Sequence, residues 1–127
     1  MEFLVEPVKQ TILLVEDDAS ILKLLEFILK KEYNVITAVN GKDALEKVQL
    51  TKPSLIISDI MMPEMNGIEF KKHLNITPDT SEIPFIFLTA MSDKNTRELS
   101  QELGVSEYII KPAKPVEIKD KVKKILN

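Results

Sequence analysis

Six side chains in this sequence stand where chemistry is commonly done. Glu16, Asp17 and Asp18 follow the apolar run Thr11-Ile12-Leu13-Leu14-Val15, and Asp59 ends the run Ser54-Leu55-Ile56-Ile57-Ser58. Thr89 ends Phe85-Ile86-Phe87-Leu88, and Lys111 ends Glu107-Tyr108-Ile109-Ile110. If these runs lie side by side, two or three carboxylates converge. One such pair at about 4 Å repels by about 4 kcal/mol at an effective dielectric near 20. A proton, a cationic side chain or a metal must offset that repulsion. The chain has one histidine, His73, and no cysteine. Its ligand set is therefore oxygen only, which selects a hard cation such as Mg²⁺. Lys111 would add a second positive charge, and the Thr89 hydroxyl can donate to an anionic oxygen. Together these groups suit a phosphoryl group. Asp59 can act there as a nucleophile that forms an aspartyl-phosphate, with charge on the equatorial oxygens stabilised by metal and lysine.

Each of these residues also has a plainer role. Glu16 and Asp18 can simply cap a following helix, where acids favour the helix dipole. Asp59 can be a turn residue, Thr89 a strand residue or an N-cap, and Lys111 a solvated charge before a proline. Their joint occurrence at four strand ends favours the chemical reading.

The elements that must position them follow from hydrophobic periodicity. Short continuous apolar runs fit strands buried on both faces of a parallel sheet. Such strands are predicted at 11–15, 34–38, 54–59, 85–89 and 107–111. Helical spacing of apolar residues predicts helices over Ala19 to Lys31, Asp43 to Leu50, Gly67 to Leu74 and Asp93 to Leu103, and a last one from Pro115. Asn40-Gly41 could make a hairpin turn, but the residues after it are helical in pattern, so Asn40 reads as an N-cap. Thr51-Lys52-Pro53 and Gly104 stop helices, and Pro115 starts one. Asn75 to Pro84 is polar, carries two prolines and reads as a loop. Strict alternation of strand and helix implies an α/β fold with a parallel sheet and helices on both faces. Five strands make an open, doubly wound sheet; a closed eight-stranded barrel needs about 250 residues. In open sheets ligands bind at the carboxyl ends of the strands, where strand order reverses.

Length and composition narrow the function. The 127 residues suit one domain able to bury its own core, 44 % of them hydrophobic and 29 % charged. The absence of cysteine excludes disulfides, thiolate metal sites and cysteine nucleophiles. The net charge of −3 argues against a nucleic-acid binder. Apolar runs of about five residues are too short for a membrane span. The N-terminus lacks the basic and apolar stretches of a signal peptide, so a cytoplasmic protein is expected. Residues 1–10 read as a lead-in, either a flexible tail or a short docked segment, and residues 11–127 as the domain.

The sequence resembles the receiver domains of bacterial response regulators, the CheY-like phosphoacceptor family. The resemblance runs from about Thr11 to Leu126. It rests on Ile12-Leu13-Leu14-Val15-Glu16-Asp17-Asp18, on Asp59-Ile60-Met61-Met62-Pro63 with Gly67 after it, on Phe87-Leu88-Thr89-Ala90, and on Leu103-Gly104-Val105-Ser106-Glu107-Tyr108-Ile109-Ile110-Lys111-Pro112. It implies a flavodoxin-like (βα)5 fold with strand order 2-1-3-4-5. Asp59 matches the phosphoacceptor. Glu16 and Asp17 match the acidic pair that holds Mg²⁺, with Mn²⁺ as a substitute, and Asp59 and the Met61 carbonyl complete that metal site. Thr89 and Lys111 match the hydroxyl and ammonium that meet the phosphoryl group. Tyr108 matches the aromatic switch, outward when inactive and inward when active; without the motif it would read as a half-buried strand aromatic. The Lys111-Pro112 bond matches a cis peptide. The switch would reshape the face made by the fourth predicted helix, the fifth strand and the last helix (α4-β5-α5 in this count).

Some positions depart from the family pattern. Ala113 stands where many relatives carry an aromatic, and Lys71-Lys72 where an apolar residue is common. Met61 and Met91, two residues after Asp59 and Thr89, are apolar and cannot orient a water, which predicts slow loss of the phosphoryl group. They can equally be mere cover for the site.

The leading function is therefore a signalling module that takes a phosphoryl group from a sensor histidine kinase or phosphotransfer protein onto Asp59. It modifies itself but turns over no substrate. A phosphohydrolase would need an acid two residues after its nucleophile, where this chain has Met61. A phosphorylation-independent interaction module would be expected to lack Asp59, Thr89 or Lys111, and all are present. The chain ends just after the last predicted helix, which favours a receiver belonging to a longer regulator or hybrid kinase over a stand-alone regulator. The output partner or domain is not legible. A homodimer through the switch face is one arrangement, no direct contact with nucleic acid or membrane is expected, and His73 reads as a surface histidine.

Overall fold

The computed structural model describes residues 8–127; the expectation for the Phe3-Leu4-Val5 cluster lies outside them. Five apolar runs become strands: β1 (Thr11–Val15), β2 (Asn34–Ala38), β3 (Leu55–Ser58), β4 (Phe85–Thr89) and β5 (Glu107–Ile110). They form one parallel sheet in the order β2-β1-β3-β4-β5. The alternating side chains of each strand feed two cores. Leu13, Val15, Ile56, Phe85 and Phe87 pack on one face with Ala44 and Val48 of α2 (Gly41–Thr51) and Phe70 and Leu74 of α3 (Gly67–Ile76). Ile12, Leu14, Leu55, Ile57, Ile86 and Leu88 pack on the other with Leu25 and Leu29 of α1 (Ala19–Leu29) and Ile118 and Val122 of α6 (Pro115–Leu126). The expected doubly wound α/β architecture and strand order are present, and order reverses between β1 and β3.

Helix starts follow local chemistry. Asp18 caps α1 by accepting from the Ser20 and Ile21 N–H groups at 2.9 and 3.0 Å. Asn40 caps α2, as expected, by accepting from the Asp43 N–H. Asn66 and Glu69 cap α3 reciprocally, and Asp93 caps α5 (Lys94–Glu102). Gly104 follows α5 with φ +83°, a conformation open to glycine. A side chain at Gly67 would run into the Asp59 carbonyl, Ile60 and the Phe87 ring, so only glycine lets α3 start this close to the end of β3.

The stretch predicted as a loop over Asn75 to Pro84 is partly helical, which corrects that reading. α3 continues to Ile76, and Pro78–Ser81 forms one further turn, α4. Pro78 pre-sets the backbone at the first helical position. Thr80 then turns inward and donates to the Leu74 carbonyl at 2.7 Å. A buried polar residue with a partner looks like a loop residue in sequence, which is why the turn was not legible. The predicted fourth and last helices are therefore α5 and α6. Among the described residues, no helix is long and apolar enough to cross a membrane.

Candidate functional site

The carboxyl ends of β1 and β3 bring Glu16, Asp17 and Asp59 together, with one oxygen of each within 4.8 Å of the others. Lys111 arrives from the end of β5. Its Nζ donates to Glu16 Oε1 at 2.5 Å and to Asp59 Oδ2 at 2.9 Å. The first offset for converging acids is therefore a cationic side chain. Glu16, Asp59 and Lys111 are largely buried, with side chains 3 %, 9 % and 17 % exposed, whereas Asp17 is exposed. Burial pushes the Glu16 carboxyl up from its ordinary value. The hydrogen bonds from Lys111 and the Asp18 N–H oppose this, and the Asp59 charge adds to it. Burial alone would lower Lys111, but the hydrogen bonds and charges of Asp59 and Glu16 outweigh it and hold the ammonium above the usual lysine value.

The two acids flanking Asp17 separate in role. Asp18 is the helix cap, while Glu16 points into the site, its Oε2 accepting from the Asp18 N–H at 3.1 Å. Asp59 Oδ1 accepts from its own turn, the Ile60 N–H at 2.6 Å and the Met61 N–H at 3.4 Å. Beside this cluster lies a hollow of about 560 Å³ lined by Asp17, Ile60, Met61, Met62 and Met91. Three carboxylates against one ammonium leave excess negative charge, all on hard oxygen donors. That set suits a divalent cation.

Thr89 is fully buried at the end of β4, and its Oγ1 accepts from the Met91 N–H at 3.3 Å. Tyr108 on β5 is half-buried. Its hydroxyl donates to the Met91 carbonyl at 2.6 Å and its ring meets Phe87 edge-on. The Arg97 guanidinium lies 5.0 Å from that ring. One short loop thus bonds both residues, a link that sequence reasoning did not find. Lys111-Pro112 is cis. Ala113 lines an apolar hollow of about 390 Å³ between α1 and α6. His73 is exposed, as expected. Lys71 is not a surface lysine: it is 2 % exposed. Its spacing from Gly67, Phe70 and Leu74 places it on the inward stripe of α3, and that was the available signal.

A family model described as response regulator receiver domain matches residues 12–123. The chain is 40 % identical over 116 residues to the alkaline phosphatase synthesis transcriptional regulatory protein PhoP of Bacillus subtilis, covering 91 % of this chain and 48 % of that protein. It is 40 % identical over 125 residues to histidine kinase P4 of Formosa agariphila, covering 98 % of this chain and 9 % of that protein. The chain thus spans about half the length or less of these curated relatives. It is also similar to the solved signal receiver domain of a signal transduction histidine kinase from Syntrophus aciditrophicus. That match has a TM-score of 0.85 at 39 % identity and covers 92 % of this chain and 89 % of that one.

Proposed function

The chain belongs to the response regulator receiver domain family, and from that premise we propose that it accepts a phosphoryl group on Asp59 from the phosphohistidine of a sensor kinase or phosphotransfer protein. Receiver domains are signalling modules of two-component transduction rather than turnover enzymes. The observation that carries the proposal is the Lys111 ammonium bridging Glu16 and Asp59, beside Asp17, at the strand ends.

The chemistry follows from the residues. An Asp59 carboxylate oxygen attacks phosphorus and forms the new P–O bond as the P–N bond to the donor imidazole breaks, with its electron pair leaving on nitrogen. Lys111 is placed to pair with the incoming oxygens, and the Thr89 hydroxyl to donate to another. Mg²⁺, with Mn²⁺ as a substitute, would be held by Glu16, Asp17, Asp59 and the Met61 carbonyl, supplying positive charge against the same oxygens. The phosphoryl group adds nearly two negative charges. Thr89 then gives up the Met91 N–H, and Tyr108 turns into the space it leaves. The face made of α5, β5 and α6 changes shape, which is a local charge event with a larger readout.

We place the module at residues 11–127 with 1–10 as a lead-in. The relatives' names support membership in a longer transcriptional regulator or histidine kinase; we further infer a cytoplasmic setting and an output partner met through the α5-β5-α6 face, a second copy of the chain included. The test is incubation with acetyl phosphate followed by intact mass. One phosphoryl adduct is expected with Mg²⁺ and none after chelation. No adduct on folded, Mg²⁺-loaded protein would leave the phosphorylation-independent interaction module.

Met61 and Met91 line the hollow beside Asp59 and offer a water no strong hydrogen-bond partner. The adduct is therefore expected to decay slowly. Met61→Asn with Met91→Glu should shorten its lifetime by about a hundredfold, the lower end of what a positioned general base contributes. An unchanged decay after donor removal would reduce the two methionines to cover.

A further inference from the structure

Helix α5 is thinly attached to the domain. Of its residues only Ser100 is buried, and that hydroxyl donates to the helix's own Thr96 carbonyl. Its first turn meets Tyr108 through Arg97 over the ring, and the loop leading into it accepts from the Tyr108 hydroxyl at the Met91 carbonyl. Its last turn is met by Asn75 of α3, whose Nδ2 donates to the Leu103 carbonyl at 3.0 Å. An asparagine amide can present either end, and here the choice is made by Lys71. The Lys71 Nζ donates to Asn75 Oδ1 at 2.7 Å. An ammonium has donors and no acceptor, so it selects the carbonyl end of the amide and leaves the NH₂ facing Leu103. The lysine lies 5.6 Å from the centroid of the Phe85 ring. Burial lowers its pKa from the ordinary lysine value, against the opposing charge of Glu82. An apolar side chain would fill the same space without that penalty.

We propose that Lys71 and Asn75 form a polar anchor that fixes the C-terminal end of α5, so that movement of this helix is confined to its N-terminal end, where Arg97 meets Tyr108. The role of the anchor rests on the switching function proposed above, but the anchor itself is testable without phosphorylation. Amide hydrogen exchange at Leu103, Gly104 and Val105 reads it, because their N–H groups bond within the last turn of α5. Asn75→Ala and Lys71→Met should each speed exchange there by about tenfold, the scale of one hydrogen bond to a charged or backbone group. The double variant should exchange no faster than Asn75→Ala alone, because the two residues act in series. Asn75→Asp keeps an acceptor for Lys71 and loses the donor to Leu103. It should exchange as fast as Asn75→Ala, with the thermal midpoint held. Wild-type rates in Lys71→Met or Asn75→Asp, or additive effects in the double variant, would overturn the anchor. With beryllofluoride and Mg²⁺, the wild-type response along α5 and the loop before it should stay within Met91 to Arg97, and in the variants reach Val105. A wild type that does not respond to beryllofluoride would sink the phosphoacceptor reading, while the exchange rates without it still decide the anchor.

Discussion

Asp59→Asn will take up no phosphoryl group from acetyl phosphate, a loss of at least about a thousandfold against wild type. An amide cannot form the mixed anhydride at a neutral, weakly nucleophilic oxygen. The variant also tests whether exposed Asp17 or buried Glu16 can accept the group instead, since both remain and both lie within 4.8 Å of the lost oxygen. A surviving adduct would move the acceptor away from Asp59. The fold should persist. Asp59 receives from two sides, from the Ile60 N–H on Oδ1 and from Lys111 on Oδ2. An asparagine can accept on only one of them and must meet the other donor with its NH₂. That loss is offset by removing one of three crowded carboxylates. The expected change in unfolding free energy is within about 1 kcal/mol, read from urea melts with Mg²⁺ chelated.

Lys111→Met, unlike Asp59→Asn, should cost the fold much of its stability. It leaves Glu16 and Asp59 buried and facing each other without their cation. Breaking a buried pair by removing one partner typically costs about 3 kcal/mol or more, and that loss is expected in metal-free urea melts at neutral pH. The sign of its pH dependence follows from Glu16. Burial already raises that carboxyl, and removing the Lys111 hydrogen bond raises it further. An acid whose folded pKa lies above its unfolded value destabilises the fold while ionised, and the penalty fades as pH falls through the folded pKa. The gap between variant and wild type should therefore narrow on acidification. Added Mg²⁺ should also narrow it, by neutralising the same acids. A variant as stable as wild type at neutral pH under chelation would show that Lys111 is not the offset for the acidic cluster.

Much of this molecule is legible in its residue pattern. The five strands appear as apolar runs because both sheet faces are covered, and a strand with two buried faces has no polar alternation to hide. The caps Asn40 and Asp18 are legible as residue types, since capping is settled within three or four residues. The four motif blocks identify the candidate site residues in the same way, by type and spacing along the chain.

What the sequence could not decide were pairings across long separations. Lys111 meets Glu16 across 95 residues and Asp59 across 52, and only the parallel register of the sheet places them together. The same register leaves Glu16 facing inward and Asp18 capping a helix, a division that neighbouring acids of similar type do not announce. The turn at Pro78–Ser81 required a polar Thr80 to find a carbonyl from another helix. Lys71 required a buried acceptor and an aromatic face before a lysine could take an inward position. Sequence by itself determined the five strands, the helices between them apart from the turn at Pro78–Ser81, and the residue types at the strand ends, because those depend on local periodicity and short-range backbone chemistry. The tertiary structure decided which charges meet and which polar groups can be buried, because the free energy of an ion or a hydrogen bond depends on partners and solvent exposure that exist only once the chain is folded.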